Sequence, residues 1–228
     1  MKHLSSQSGN ALIYVLIVVA LFAALNFVLS RQTDTTETGI LSQEKTEILA
    51  GQILATSSQI KQAVDMMLYS GSGIDELTFT TPDDEPAFST GSSIHKLFHP
   101  DGGAAILPAI PAEAIAQAST DPVAKWYIGR FNNVEWTESG AEDVILVAHQ
   151  LGKTICESIN EKLTGSTTIP ALTAGKTLAN LMIDDAFHTG TNEDFDAADC
   201  AGCNGWPQLC VSDSGVTMYS YYSIVAQN

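Results

Sequence analysis

The sequence is short of charge, and what charge it has is mostly of one sign. Of 228 residues only 10 are Lys or Arg against 26 Asp or Glu, a formal net charge of −16. A surface so poor in cations repels a phosphate backbone, which argues against nucleic acid as a partner and disfavours an anionic lipid surface for the globular part. Charge is missing altogether from residues 11–29, ALIYVLIVVALFAALNFVL, where Asn26 is the only strongly polar side chain. Proline is missing between residues 10 and 70, so nothing there forces a helix to end. A small-x-small signal-peptidase site is missing too. The apolar run closes in Asn26-Phe27-Val28-Leu29-Ser30-Arg31, and it is longer than the ~7–15 residues of an ordinary signal peptide. No Ser-His-Asp, Cys-His or paired-carboxylate constellation has supporting local context, so the chain is expected not to be an enzyme.

What is present is a chain long enough for an apolar N-terminal helix and one compact domain. A helix needs ~20 apolar residues to cross a bilayer, and the apolar run has about that length without a polar face. Lys2 and the N-terminal amine precede it, whereas Asp34, Glu37, Glu44 and Glu47 follow. This bias predicts a cytoplasmic N-terminus and an inner-membrane anchor, with the C-terminal part on the oxidising side. Beyond a softer stretch, Gln32-Thr33-Asp34-Thr35-Thr36-Glu37-Thr38-Gly39, the positions Leu41, Ile48, Leu49, Ile53, Ile60, Val64, Met67 and Leu68 recur at helical spacing, with Gln52 interrupting the apolar stripe. Glu44, Lys45, Lys61 and Asp65 fall on the other side.

Tyr69-Ser70-Gly71-Ser72-Gly73 ends the helix. In the remainder, 125–128, 133–136, 143–147 and 215–225 read as strands and 150–163 as a helix. His95 and His99 stand four apart, but Pro100 cuts any helix there and no third metal ligand is near. Gly152-Lys153-Thr154 lacks the earlier glycine of a phosphate loop.

Four cysteines allow three pairings, among which sequence does not choose. The expectation taken is Cys156 with Cys210, tying helix to strand, and a small Cys200–Cys203 loop. Zinc is the rival for the Cys-x-x-Cys, but the other two cysteines lack that spacing. Just upstream, Asn192-Glu193-Asp194-Phe195-Asp196-Ala197-Ala198-Asp199 offers oxygens at alternating positions, so Asp194, Asp196 and Asp199 are candidate calcium ligands; the alternative is a solvated acidic loop.

The leader Met1-Lys2-His3-Leu4-Ser5-Ser6-Gln7-Ser8-Gly9, short, polar and ending in glycine directly before the apolar helix, resembles that of the type IV pilins and pseudopilins. The resemblance implies cleavage by a prepilin peptidase between Gly9 and Asn10. It implies an α+β fold in which a long N-terminal helix, half transmembrane and half amphipathic, packs on a small antiparallel sheet. The divisions are then 1–9 leader, 10–30 transmembrane helix, 31–70 amphipathic continuation and 71–228 exported domain. Such proteins reside in the inner membrane before assembly and pair with other pilin-like subunits through the N-terminal helix. Their heads face the periplasm or lie outside the cell in a filament. Asn10 stands where the family has Phe or Met, and Tyr14 where it has the glutamate that pairs with a neighbour's amine. Tyr14 cannot supply that carboxylate, which points to a minor or tip subunit. Several pseudopilins hold calcium in a C-terminal loop, which adds to the reading of the acidic segment. The alternative is a lone periplasmic binding or envelope-structural domain on an uncut signal anchor.

Overall fold

A computed structural model describes residues 8–183 and 194–227; within the first helix it describes the side chains of 14–15, 17–19, 21–22 and 42 onward. The chain divides into two units, Met1–Lys45 and Thr46–Asn228. Helix α1 runs Ser8–Tyr69, and the strands and shorter helices follow as β1 (Trp126–Asn132), β2 (Asp143–His149), α2 (Lys153–Thr164), α3 (Leu178–Met182), β3 (Gln208–Ser212) and β4 (Tyr219–Ala226). The strands form one antiparallel sheet in the order β1-β2-β4-β3.

The expected fold and location need correction. Among the described residues no helix is long and apolar enough to cross a membrane. From residue 42 on, α1 carries Glu44, Lys45, Glu47, Lys61 and Asp65. The apolar side chains described before that span positions 14–22, roughly half of the ~20 a crossing needs. The transmembrane half and the inner-membrane anchor are therefore withdrawn. Residues 1–7 of the expected leader, and most side chains of the expected 10–30 span, lie outside the described residues. What the structure shows is an α+β chain with one four-stranded antiparallel sheet.

Both faces of the sheet are covered. One packs on α1 and α2: Leu49, Ala50, Ile53, Ile60, Val64 and Met67 join Trp126, Val144, Leu146, Ala148, Tyr221, Ile155 and Ile159 in one core. On the other face Phe131, Ile145, Val147, Leu209, Val211, Tyr222 and Ile224 meet Leu178, Leu181, Met182 and Phe195. Two buried faces explain why β2 reads Val-Ile-Leu-Val-Ala without alternation; all seven of its residues are buried. Each such side chain contributes roughly 1.5–3 kcal/mol on burial.

The expected inner stripe of α1 holds at Leu49, Ile53, Ile60, Val64 and Met67, which are buried, and at Leu68, half-buried against the same core; Ile48 departs from it at 61 % exposed. Ser57 sits in that line, buried, and accepts from the Tyr221 hydroxyl at 3.0 Å. Lys61, paired with Asp65 at 3.2 Å, also donates to the Val225 carbonyl.

Other boundaries shift as well. The run expected at 125–128 is the start of β1, which continues to Asn132, whereas the run expected at 133–136 is no strand but a single bridge from Val134 to Phe195 and a turn. An irregularity between Arg130 and Asn132 frees Asn132 to donate to the Leu181 carbonyl at 2.8 Å, fastening α3. Helix α2 runs Lys153–Thr164 and is capped by Gly165, whose φ of 76° places it in the left-handed region that glycine adopts without strain.

Candidate assembly surface

In the first unit the seven α1 side chains described between residues 14 and 22 are all apolar and all exposed: Tyr14, Val15, Ile17, Val18, Val19, Leu21 and Phe22, each between 51 % and 65 %. At about 100° per residue these positions sweep about 200° of the helix circumference. A helix resting on one core needs a stripe of only ~100°. This girdle is too wide for a single neighbour and too apolar for water. Tyr14, the expected assembly position, belongs to it with 64 % of its surface open. The expected processing pair, Gly9 and Asn10, falls within the first turns of α1, which is described from Ser8.

Both disulfides lie in the second unit. Cys156 of α2 is bonded to Cys210 of β3 across 54 residues of sequence, with Cα atoms 5.3 Å apart, and Cys200 is bonded to Cys203. All four side chains are fully buried. Beside the first bond, buried Asn160 brackets Cys210. Its Nδ2 donates to the Cys210 carbonyl and its Oδ1 accepts from the Cys210 N–H, both at 2.8 Å, while Nδ2 also donates to the Thr168 carbonyl.

The three candidate calcium ligands do not converge. Asp194 is exposed. Asp196 Oδ1 accepts from the N–H groups of Ala198 and Asp199 at 2.7 and 2.8 Å, a local turn. Asp199 is buried and its Oδ1 meets Lys176 Nζ at 2.9 Å. Asn192 and Glu193 lie outside the described residues. Among the described residues no three His, Cys, Asp or Glu side chains are grouped to hold a metal. His95 and His99 point to different neighbours: His95 Nδ1 is 3.0 Å from Ser72 Oγ, and His99 Nδ1 accepts from the Asp101 N–H.

Besides Asn160, three further buried polar residues escaped the sequence reading. Lys96 is 5 % exposed and its Nζ donates to the carbonyls of Ala87, Phe88 and Thr90. Gln150, at a φ of 61°, accepts from Ala118 and Ser119 N–H and donates to the Ser119 and Pro122 carbonyls. His149 Nδ1 lies 2.7 Å from Ser220 Oγ, and its Nε2 has no partner among the described residues. Burial lowers the His149 pKa to about 4. The His149–Ser220 spacing is that of a base and a nucleophile, but both side chains are fully buried and no substrate reaches them. Nothing in the sequence singled these residues out, because their partners are mostly backbone atoms of other segments.

Compared with known proteins, the chain matches no family model, no curated protein and no solved structure.

Proposed function

We propose that this chain is a structural subunit, not an enzyme, of a filament of the type IV pilus or type II secretion pseudopilus kind. It joins its neighbours through the apolar part of α1 and displays a disulfide-tied α+β head. The observation that carries the reading is the exposed girdle from Tyr14 to Phe22. Seven apolar side chains left more than half open represent on the order of 10 kcal/mol of burial still to be gained. That equals the whole stability of an ordinary domain, so a partner helix bundle is the natural cover. The leader motif ending at Gly9 supports the same kind of assembly, and Tyr14 in place of the pairing glutamate favours a minor or tip position.

The test uses the native host. Filaments sheared from the cells are collected, and the chain is sought in them by mass spectrometry. The proposal expects it in that fraction with Asn10 as its first residue. A chain that keeps Met1, stays out of every sheared fraction and is monomeric would contradict it.

A further inference from the structure

The two edges of the sheet are finished differently. The Lys125 carbonyl accepts from the His149 N–H at 3.0 Å, and Tyr127 opposite Val147 and Gly129 opposite Ile145 continue that register. In an antiparallel pair, bonded and non-bonded positions alternate, so Ile128 and Arg130 turn their N–H and C=O away from β2. Strand β3, at the far edge, turns Cys210 and Ser212 outward in the same way, since Ile224 donates to the Pro207 carbonyl. There the outward groups are taken. Asn160 brackets Cys210, while Ser212 donates to the Pro170 carbonyl and accepts from Leu172 N–H, both at 2.9 Å. On β1, among the described residues, no partner meets the outward backbone groups of Ile128 or Arg130.

That open edge faces a groove of about 480 Å³, walled by Ile128, Gly129 and Arg130 on one side and by segment 77–80 on the other, with Asp84 and Glu142 in its lining. Thr80 Oγ1 is buried here without a partner. One residue of extended chain occupies roughly 160 Å³, from a ~3.4 Å rise, ~4.8 Å strand spacing and ~10 Å sheet spacing, so the groove holds about three. Arg130, the one cation among the described lining residues, has its guanidinium committed to the carbonyls of Ile74 and Leu77 at 2.9 and 2.8 Å.

We propose that the β1 edge is a strand-addition site for an extended segment of another protein carrying Lys or Arg. Backbone donors and acceptors two residues apart match an extended chain. Glu142, and Asp84, whose Oδ2 also accepts from the Thr81 N–H and hydroxyl, select cationic side chains on it, and among the described residues no uncommitted cation lines the groove to receive an acidic one. A second copy is disfavoured as occupant of this acid-lined groove, because a chain with 10 Lys or Arg against 26 Asp or Glu has few cations to bring to it.

The probe is a capped heptapeptide, Thr-Lys-Val-Lys-Val-Lys-Thr, titrated into the full-length chain while amide exchange is followed by NMR. Binding slows the Ile128 and Arg130 amides by about tenfold or more at saturation, whereas the Glu-for-Lys peptide binds at least about tenfold more weakly. A peptide with proline for one valine loses most of its binding. Ile128→Pro, which removes the outward edge N–H at some cost in Tm because Ile128 packs on the core, weakens the lysine peptide, and Glu142→Lys, which leaves the backbone intact, weakens it without lowering Tm. The proposal is overturned if the lysine peptide leaves both amides unprotected, or if the glutamate peptide protects them equally. It is likewise overturned if protection appears in the free chain and rises with its own concentration, which would make a second copy the occupant.

Discussion

The Asn160 side chain occupies the outer edge of β3 as a strand would, giving its Nδ2 to the Cys210 carbonyl and taking the Cys210 N–H on its Oδ1, both at 2.8 Å. One amide thus closes an edge that would otherwise offer unpaired backbone, at the residue whose sulfur is bonded to α2. Asn160→Leu keeps the volume but strands both Cys210 groups and the Thr168 carbonyl. We expect a loss of about 2–4 kcal/mol in urea unfolding, with the disulfides still formed. A loss under about 0.5 kcal/mol would show that the bracket adds nothing.

The two disulfides are expected to differ in their effect. The Cys156–Cys210 bond closes 54 residues and the Cys200–Cys203 bond only 3. By loop-closure entropy the first contributes about 4 kcal/mol and the second about 1.5 kcal/mol. Paired Cys→Ala variants compared by denaturant midpoint check the order. Equal losses would contradict it.

Lys96 holds together the turn before it. Its buried Nζ donates to the carbonyls of Ala87, Phe88 and Thr90, and no acidic side chain is needed for the arrangement. Lys96→Met removes the charge, keeps the stem and leaves three carbonyls without their donor. The expected result is a loss of about 2–4 kcal/mol and faster proteolysis across 81–90 than elsewhere in the domain.

His149 supplies an acid limb to the stability curve. Its folded pKa lies at about 4 because burial disfavours the imidazolium, against an ordinary value of 6.5. Between those two values the unfolded chain binds the extra proton. Stability is therefore complete above about pH 6.5 and falls as the pH drops toward 4, by about 3 kcal/mol in all. His149→Gln removes this limb, so the difference between the two proteins' unfolding free energies should change over that window and be flat above it. A difference that does not vary with pH would contradict the assignment.

Some of this was legible from residues and some was not. The inner part of α1 and β2 announced themselves through spacing and through a β-branched run, and β4 through its aromatic and β-branched residues. Ile48 misled because spacing does not mark the margin of a stripe: its neighbours Leu49 and Ile53 are buried while Ile48 itself stays open. Strand β3, QLCVS, was hidden by its short length beside the cysteine loop, and α3 has only five residues. The membrane-crossing half was an inference from an apolar run and is overturned among the described residues. Asn160, Lys96 and Gln150 could not be found from sequence, because each serves backbone atoms whose proximity only the folded chain creates.

The central claim is that the apolar part of α1 joins subunits to one another, and a cross-link reads it directly. The described cysteines are all disulfide-bonded, so Val18→Cys introduces a single new thiol into the exposed girdle. In the native host a short maleimide–diazirine linker on that thiol, photoactivated so that it captures any adjacent side chain, should join position 18 to the N-terminal helix of a neighbouring subunit, as peptide mass spectrometry will show. Recovery of the chain as an uncrosslinked monomer, or links only between heads, would contradict the account.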